Sequence, residues 1–542
     1  MKGVQCALLV AILAIAGGCS EGIQSPSSDD PLAAAAAKPN IIFLLADDQR
    51  ADSLSVAGHP FVQTPHIDAL AQEGTRFTQA FTVEPICAPS RFAFFSGQYE
   101  RTSGLGFNSP YQVSEAQWNE TYPALLQDAG YHTGFVGKFG VQYYQLDGGA
   151  SAKFDYWRGH DGWLPFFPKD LPGNPATHTY KNAEKSIVTE IMGEYITDFL
   201  RSRPPDSPFS LSVSFSAPHN SIVSSMFPDG AEENCQPRGC DVMGFAANNN
   251  PVLQGHPFYG SLYRDSEWPL PSDVGADPYQ FIPEGVIDHE ARKQWYAYNY
   301  QRELQPEHLV RYHQTISGID AVVGQLVSEL EQQGIADNTI IIYASDHGLL
   351  NGEYGTGGKG LLYDLVARIP LIVYDPRAPA SQRGLTIDDL VLSIDVPSTI
   401  LTHAGLPIPQ IMQGRALLSG TRLAPREEVF LESLTTAEGN PFIEAIRTQE
   451  WKYVRYLQPQ GCPYEEQHLD FSDDKPIFEQ LFRLSEDPAE RVNLANDPRY
   501  ASVLMNFQQR TRTASMALTD TSRRFKNVFS VPQRPAEGVY CW

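Results

Sequence analysis

Asn40-Ile41-Ile42-Phe43-Leu44-Leu45-Ala46, closed by Asp47-Asp48, is the stretch on which the fold turns. It shows no apolar/polar alternation, so it predicts a strand buried on both faces, the kind found in mostly parallel sheets covered by helices. The abrupt pair of aspartates marks the strand's C-terminal end, and in open α/β sheets ligands collect outside such ends. The same pattern recurs along the chain. Thr64-Pro65 opens a short helix, with Thr64 as N-cap and Pro65 at the first helical position. Residues 187–201 have the spacing of an amphipathic helix and lead into a strand over 209–215. Apolar residues at Ile316, Ile319, Val322, Val323, Leu326, Val327 and Leu330 predict a helix over 312–333, closed by Gly334. A strand over 339–344 then runs into Ser345-Asp346-His347-Gly348. Buried strands alternating with helices predict an α/β domain built on a large mixed, mostly parallel sheet sandwiched by helices. Beyond residue 423 short strands at 428–432, 444–447 and 451–456 predict a smaller C-terminal α+β subdomain containing an antiparallel sheet.

The 542-residue chain carries 40 Lys+Arg against 64 Asp+Glu, a net charge of −24. That balance argues against a nucleic-acid partner, which needs a surplus of cations for phosphate. An anionic ligand therefore requires a local basic island. At the N-terminus Met1-Lys2 precedes an apolar run over 7–18, too short for a bilayer that needs ~20 residues, and reads as an export signal. It ends in Ile15-Ala16-Gly17-Gly18-Cys19, similar to a bacterial lipoprotein cleavage box with Cys19 as the lipidated first residue; plain secretion is the alternative. A Ser/Asp/Ala-rich tether follows over 20–37. The expected location is periplasmic or cell-surface, anchored to the membrane through that lipid. Cys235 with Cys240, and Cys462 with Cys541, are possible disulfide pairs, which leaves Cys87 over, either buried and inert or chemically used.

Cys87-Ala88-Pro89-Ser90-Arg91, with Gly97 six residues on, resembles the signature of the type I, formylglycine-dependent sulfatases of the alkaline phosphatase superfamily. Other stretches are similar to that family in the same order. They are Asp47-Asp48, Gly130-Tyr131-His132-Thr133 through Gly137-Lys138, Ala217-Pro218-His219, Ser345-Asp346-His347-Gly348, Lys359 with Tyr363, Arg447-Thr448 with Trp451-Lys452-Tyr453, and Asp487-Pro488-Ala489-Glu490 with Asn493-Leu494. The resemblance implies an alkaline phosphatase-like fold and a bacterial carbohydrate sulfatase. With the segments read above, the chain divides into a signal peptide over 1–18, a tether over 19–37, a catalytic domain over 38–423 and a C-terminal subdomain over 424–542. The resemblance further implies that a formylglycine-generating enzyme oxidises Cys87 to an aldehyde.

The chemistry supports that reading. An alcohol attacking a sulfate ester only becomes another stable ester, whereas a hydrated aldehyde attacks with one hydroxyl and expels sulfate when the other loses its proton. A divalent cation lowers the pKa of the attacking hydroxyl. Asp47, Asp48 and Asp346 are hard oxygen ligands at two strand ends and suit Ca²⁺; together with Cys87, the resemblance adds His347, a softer ligand that admits Mn²⁺ or another divalent ion. By resemblance, Lys138, His219 and Lys359 hold the sulfate or protonate the leaving oxygen, and Arg91 braces the nucleophile and metal site. Two departures from the family stand out. Gly140 replaces the His usual two residues after Lys138, with His132 and His160 as candidate substitutes, and Tyr354 stands where many members have His.

Aromatics near the expected mouth, Tyr143, Tyr144, Trp157, Trp163, Phe166 and Phe167, with Trp268 and Tyr279 from the aperiodic, substrate-facing stretch 226–303, are candidates to stack on sugar rings. His160 and Asp161 are candidate readers of sugar hydroxyls. The expected substrate is a sulfated poly- or oligosaccharide. The rivals are a phosphonate monoester or phosphodiester hydrolase of the same superfamily, and an inactive glycan-binding lipoprotein.

Overall fold

In the computed structural model the described residues are 38–107, 112–170, 179–224, 226, 256, 258–287, 305–418, 424–434, 441–457 and 475–520. The export signal, Cys19, the tether, Cys235, Cys240, Cys462, Cys541, the boundary at 423 and most of the 226–303 stretch lie outside them.

Fourteen strands are described: β1 Asn40–Ala46, β2 Thr75–Phe81, β3 His132–Lys138, β4 Tyr156–His160, β5 Phe209–Ser214, β6 Thr339–Ser345, β7 Leu350–Asn351, β8 Gly357–Gly358, β9 Arg368–Tyr374, β10 Leu385–Leu392, β11 Glu428–Ser433, β12 Phe442–Thr448, β13 Trp451–Leu457 and β14 Phe478–Arg483. Eight of them form one sheet in the order β10-β2-β9-β6-β1-β5-β3-β4. Neighbouring pairs are parallel except where β9 meets β6 and β2, so β9 alone runs backwards. β1 is buried along its whole length, as its unbroken apolar run requires. Its side chains alternate between two cores. Ile42, Leu44 and Ala46 join one core, which includes residues of the Pro65–Glu73, Val188–Ser202 and Gln305–Gln332 helices. Ile41, Phe43 and Leu45 join the other, with residues of the Cys87–Ser96, Tyr122–Asp128 and Asp395–His403 helices.

β11 to β14 form a separate antiparallel sheet, in which the two residues between Thr448 and Trp451 turn β12 into β13. The Ala501–Asp520 helix contributes Phe507 to the third core, which also takes in Val429, Ile443, Tyr453 and Leu481 from this sheet and Phe81 and Leu392 from the main one. The expected architecture is the observed one.

Sheet register sets the site. Ala46 lies opposite Ser345, and Leu45 opposite Ser214. Ser214 is opposite Gly137, and Lys138 is opposite His160. Asp47, Asp346, Lys138 and His160 thus emerge along one edge of the sheet although the sequence separates them by up to 299 residues.

Candidate active site

Asp47 and Asp346 are the first residues past β1 and β6, and backbone bonds hold both bends: Asp47 N–H donates to Ala217 O (3.1 Å) and Asp346 N–H to Ala46 O (3.1 Å). Asp346 Oδ1 in turn accepts the N–H groups of Asp48 (3.0 Å) and His347 (2.9 Å). These four residues are buried. Cys87 opens its helix at the same place, and its sulfur accepts from Lys359 Nζ at 2.9 Å while lying 3.4 Å from His347 Nε2 and 3.5 Å from Asp47 Oδ1. Ser90, one turn on, donates to Asp346 O (2.6 Å) and bonds Thr82 Oγ1 (2.9 Å), pinning the helix to the strand end.

Arg91 lies under this cluster. Its guanidinium is 2.9 Å from Asp346 Oδ2 and 3.3 Å from Asp47 Oδ2, and it donates to Lys138 O (3.1 Å) and to Ser214 Oγ. Lys138 Nζ donates to Asp47 Oδ2 (2.6 Å) and Lys359 Nζ to Asp48 Oδ1 (2.7 Å). The basic island demanded by an acidic chain is therefore present, three cationic side chains facing three carboxylates. Burial alone would raise Asp47 and Asp48, but Lys138 and Arg91 hold Asp47 well below the usual carboxylate range, and Lys359 lowers Asp48. Burial raises Asp346, with repulsion from Asp47 and Asp48 adding to it. Burial also pushes the Cys87 thiol up to about 12, too high for a thiolate nucleophile at neutral pH.

His219 follows β5 across a short turn, with Nε2 3.9 Å from Asp48 Oδ2. Ser221 N–H donates to His219 Nδ1 at 3.1 Å, so the neutral ring carries its proton on Nε2, the atom that faces the acids. Burial lowers its pKa to about 3.

The donor atoms of Asp47, Asp48, Cys87 and His347 all lie within 4.8 Å of one another and all four residues are buried. Carboxylate oxygens with one imidazole suit a hard or borderline divalent cation. The residues fit such an ion.

The remaining candidates separate. His132 is at the far end of β3 from Lys138, roughly 20 Å away at the strand's rise, stacked on Phe199. His160 is in the site row, buried, with Nε2 3.2 Å from Ser216 Oγ and Nδ1 3.4 Å from Tyr180 OH. Trp157 stacks on Phe135 at 5.1 Å, Phe166 and Phe167 are wholly buried, and Trp268 stacks on His313 at 4.5 Å. Phe166 and Phe167 are thus core residues, whereas Trp157 and Trp268 are half-buried, each with one face taken by its stacking partner. Asp161, half-buried, follows His160 off the C-terminal end of β4, and Trp163 is exposed. Tyr354 is buried, stacked on Tyr363 at 4.1 Å, with its hydroxyl donating to Ala489 O (2.8 Å), so it belongs to the seam with the C-terminal sheet.

Ser90, Ser214 and Ser216 were missed. For Ser214 a signal existed: serine at every second position of a strand buried on both faces, Ser210, Ser212 and Ser214, is a polar row that must meet partners.

The family profile described as Sulfatase matches residues 39–406. The chain belongs to the sulfatase family. A second profile, N-sulphoglucosamine sulphohydrolase C-terminal, matches residues 352–516 of this sulfatase. Its similar relatives include the N-acetylglucosamine-6-O-sulfatase of Bacteroides thetaiotaomicron, 28% identical over 70% of this chain and 70% of that one. The ulvan-active sulfatase of Formosa agariphila is 25% identical over 82% and 79%, and the choline-sulfatase of Rhizobium meliloti 29% over 85% and 83%. Among solved structures, one in complex with D-glucosamine-2-N,6-O-disulfate superimposes with a TM-score of 0.62 at 22% identity, covering 90% of this chain and 100% of that one. The phosphonate monoester hydrolase of Agrobacterium radiobacter does so with 0.62 at 19%, covering 89% and 96%. The family establishes the reaction class, sulfuric ester hydrolysis.

Proposed function

We propose that this sulfatase removes sulfate from a carbohydrate, with a formylglycine made from Cys87 as nucleophile and a divalent cation held by Asp47, Asp48, Asp346 and His347. The observation that carries the reading is the placement of Cys87 Sγ, 2.9 Å from Lys359 Nζ and 3.5 Å from Asp47 Oδ1, inside a buried cage of acids and cations. The sulfur marks where the oxygens of a hydrated aldehyde would stand. A thiol pushed to about 12 by burial is itself a poor nucleophile there.

The hydrated aldehyde supplies an attacking hydroxyl and a second one whose deprotonation expels sulfate, and the cation supplies charge to the attacking oxygen and the sulfate oxygens. The other steps fall to the chain. Lys138 and Lys359, fixed on Asp47 and Asp48, present positive charge to the sulfate in a site closed to bulk water, where each contact is worth more than in solution. His219 Nε2–H, which faces Asp48 Oδ2, is placed to hydrogen-bond the charge that develops on the departing alcohol oxygen. Arg91 spans two strand ends, so it fixes the spacing of the two acids that flank Cys87.

Relatives that act on N-acetylglucosamine sulfates and on ulvan support a sugar substrate. The test is sulfate release from a panel of heparin and ulvan oligosaccharides beside an aryl sulfate and an aryl phosphodiester. Release from the sugars is expected, and Cys87→Ala is expected to lose it by at least about a thousandfold while melting like the parent. Faster phosphodiester than sulfate turnover, or an unmodified Cys87 in the tryptic map of active enzyme, would overturn the reading.

A further inference from the structure

Among the described residues two aromatic side chains stand open to solvent, Tyr144 at 77% and Trp163 at 39% exposure. Scattered single apolar residues on a surface need no explanation, but these two are not scattered. Tyr144 is on the loop that leaves β3 and Trp163 on the loop that leaves β4, and the two strands are parallel neighbours with Lys138 opposite His160. The loops therefore emerge side by side at the sheet edge where Cys87 and the three acids converge.

Asp161 joins them. Its carboxylate accepts the Gly140 N–H and the Tyr143 hydroxyl, and feels the Lys138 charge. The Tyr143 ring lies 5.1 Å from that of Tyr144 and meets the buried Phe139 edge-on at 5.7 Å, so the exposed ring rests on a half-buried one that is itself backed by the core. The loop is tied down on both sides. Tyr144 N–H donates to Gln112 Oε1 (3.1 Å), Asp147 N–H to Glu115 Oε1 (2.6 Å), and Val113 N–H to Gln142 O (2.9 Å). Tyr144 is a fixed platform in water, not a side chain on a loose tip.

We propose that Tyr144, Trp163 and Asp161 form a subsite for an uncharged sugar ring of the substrate chain, next to the ring that bears the sulfate. It rests on the carbohydrate reading above. A pyranose has an apolar C–H face that covers an aromatic ring and hydroxyls that need an acceptor at its rim, and the subsite offers both. Two rings with a carboxylate between them are far smaller than the ~800 Å² a side that a stable protein interface buries. The Asp161 carboxylate repels a second sulfate, so the subsite selects an unsulfated neighbour.

The experiment compares a tetrasaccharide that carries one sulfated ring beside neutral rings with the monosaccharide sulfated at the same position. The quantity read is the ratio of KM for the tetrasaccharide to KM for the monosaccharide. Tyr144→Ala and Trp163→Ala each raise it roughly fivefold to tenfold, the worth of one aromatic contact. Met505→Ala, exposed on the Ala501–Asp520 helix, leaves it unmoved. A ratio unchanged in both aromatic variants, or kinetic loss equal on the two substrates, overturns the subsite while leaving the sugar sulfatase reading intact. Wild-type enzyme that cleaves aryl sulfate but no member of the sugar panel overturns both.

Discussion

Gly140 stands where the sequence resemblance predicts a histidine, and its surroundings leave no room for one. Its φ is +65°, and a Cβ built there would stand 2.9 Å from Arg91 Cδ and 3.5 Å from Lys138 Cε. The stem of Arg91 fills that space. Gly140→His is therefore expected to displace Arg91 from Asp47 and Asp346 instead of supplying a base, costing about 1–3 kcal/mol of stability and at least about tenfold in kcat. Thermal melting and turnover of aryl sulfate check this, and a variant faster than wild type would show that the pocket adapts. His160, across β4 from Lys138, is the imidazole the fold does bring to the row, where burial drives its pKa to about 3 and keeps it neutral. Spacing along the chain could not reveal this, because the neighbour of Lys138 is decided by strand register. Cys87, Arg91 and the acids were legible because their motifs are short and local.

At the scale of elements, apolar runs and periodicity located β1, β5, β6, β11 to β13 and the Val188–Ser202 and Gln305–Gln332 helices, since burial leaves that imprint directly, whereas β2, β9, β10 and the Ala501–Asp520 helix were not read from it. The helix expected over 312–333 is Gln305–Gln332, longer at its start, and β14 went unseen, its half-buried ends bearing Glu and Arg. Capping was read less well. Thr64 precedes Pro65 as expected, but its side chain makes no cap; it donates to Asp68 Oδ1 at 3.0 Å instead. The N–H of Ile67 is taken by Asp320 Oδ1 at 2.7 Å, from the middle of the Gln305–Gln332 helix, a partner no local signal could name. Removing that acceptor with Asp320→Ala is expected to cost about 1–2 kcal/mol. Burial raises Asp320 to about 6, above the ~3.9 of an unfolded aspartate. A raised acid contributes stability that is full below its unfolded value and is lost as pH rises through the folded one. The melting gap between wild type and Asp320→Asn should thus narrow from pH 4 to pH 7. A gap that widens over that interval would refute the burial account.

Across the whole molecule, buried ion clusters tie the C-terminal sheet to the catalytic half: Arg101 with Glu432 and Glu444 forms one, and Lys452 with Asp364 and Glu490 another. Lys452 on β13 is fully buried and donates to Asp364 Oδ1 at 2.8 Å, with its ammonium 2.7 Å from Glu490 Oε1. Arg447, its register partner on β12, lies 3.3 Å from Asp364 Oδ2, and Glu490 Oε2 accepts the Asp364 N–H at 2.6 Å. Asp364 follows Lys359 by five residues, so the cluster braces the segment that carries an active-site cation. The Arg447 to Tyr453 and Asp487 to Leu494 stretches matched the family by pattern, yet their role as a latch was invisible, since their partner lies more than eighty residues away. Lys452→Met leaves Asp364 and Glu490 buried, with Arg447 and Arg368 as the cations that still act on Asp364. The expected loss is about 3–5 kcal/mol, the cost of breaking a buried pair from one side. Adding Glu490→Gln removes one of the stranded acids and should return part of that loss, so a double-mutant cycle in denaturant isolates the coupling. Turnover should fall in the single variant even at temperatures where it stays folded, because Lys359 is no longer held against Asp48 and Cys87. A Lys452→Met enzyme that is folded and fully active would mean that Lys359 is positioned from within the main sheet alone.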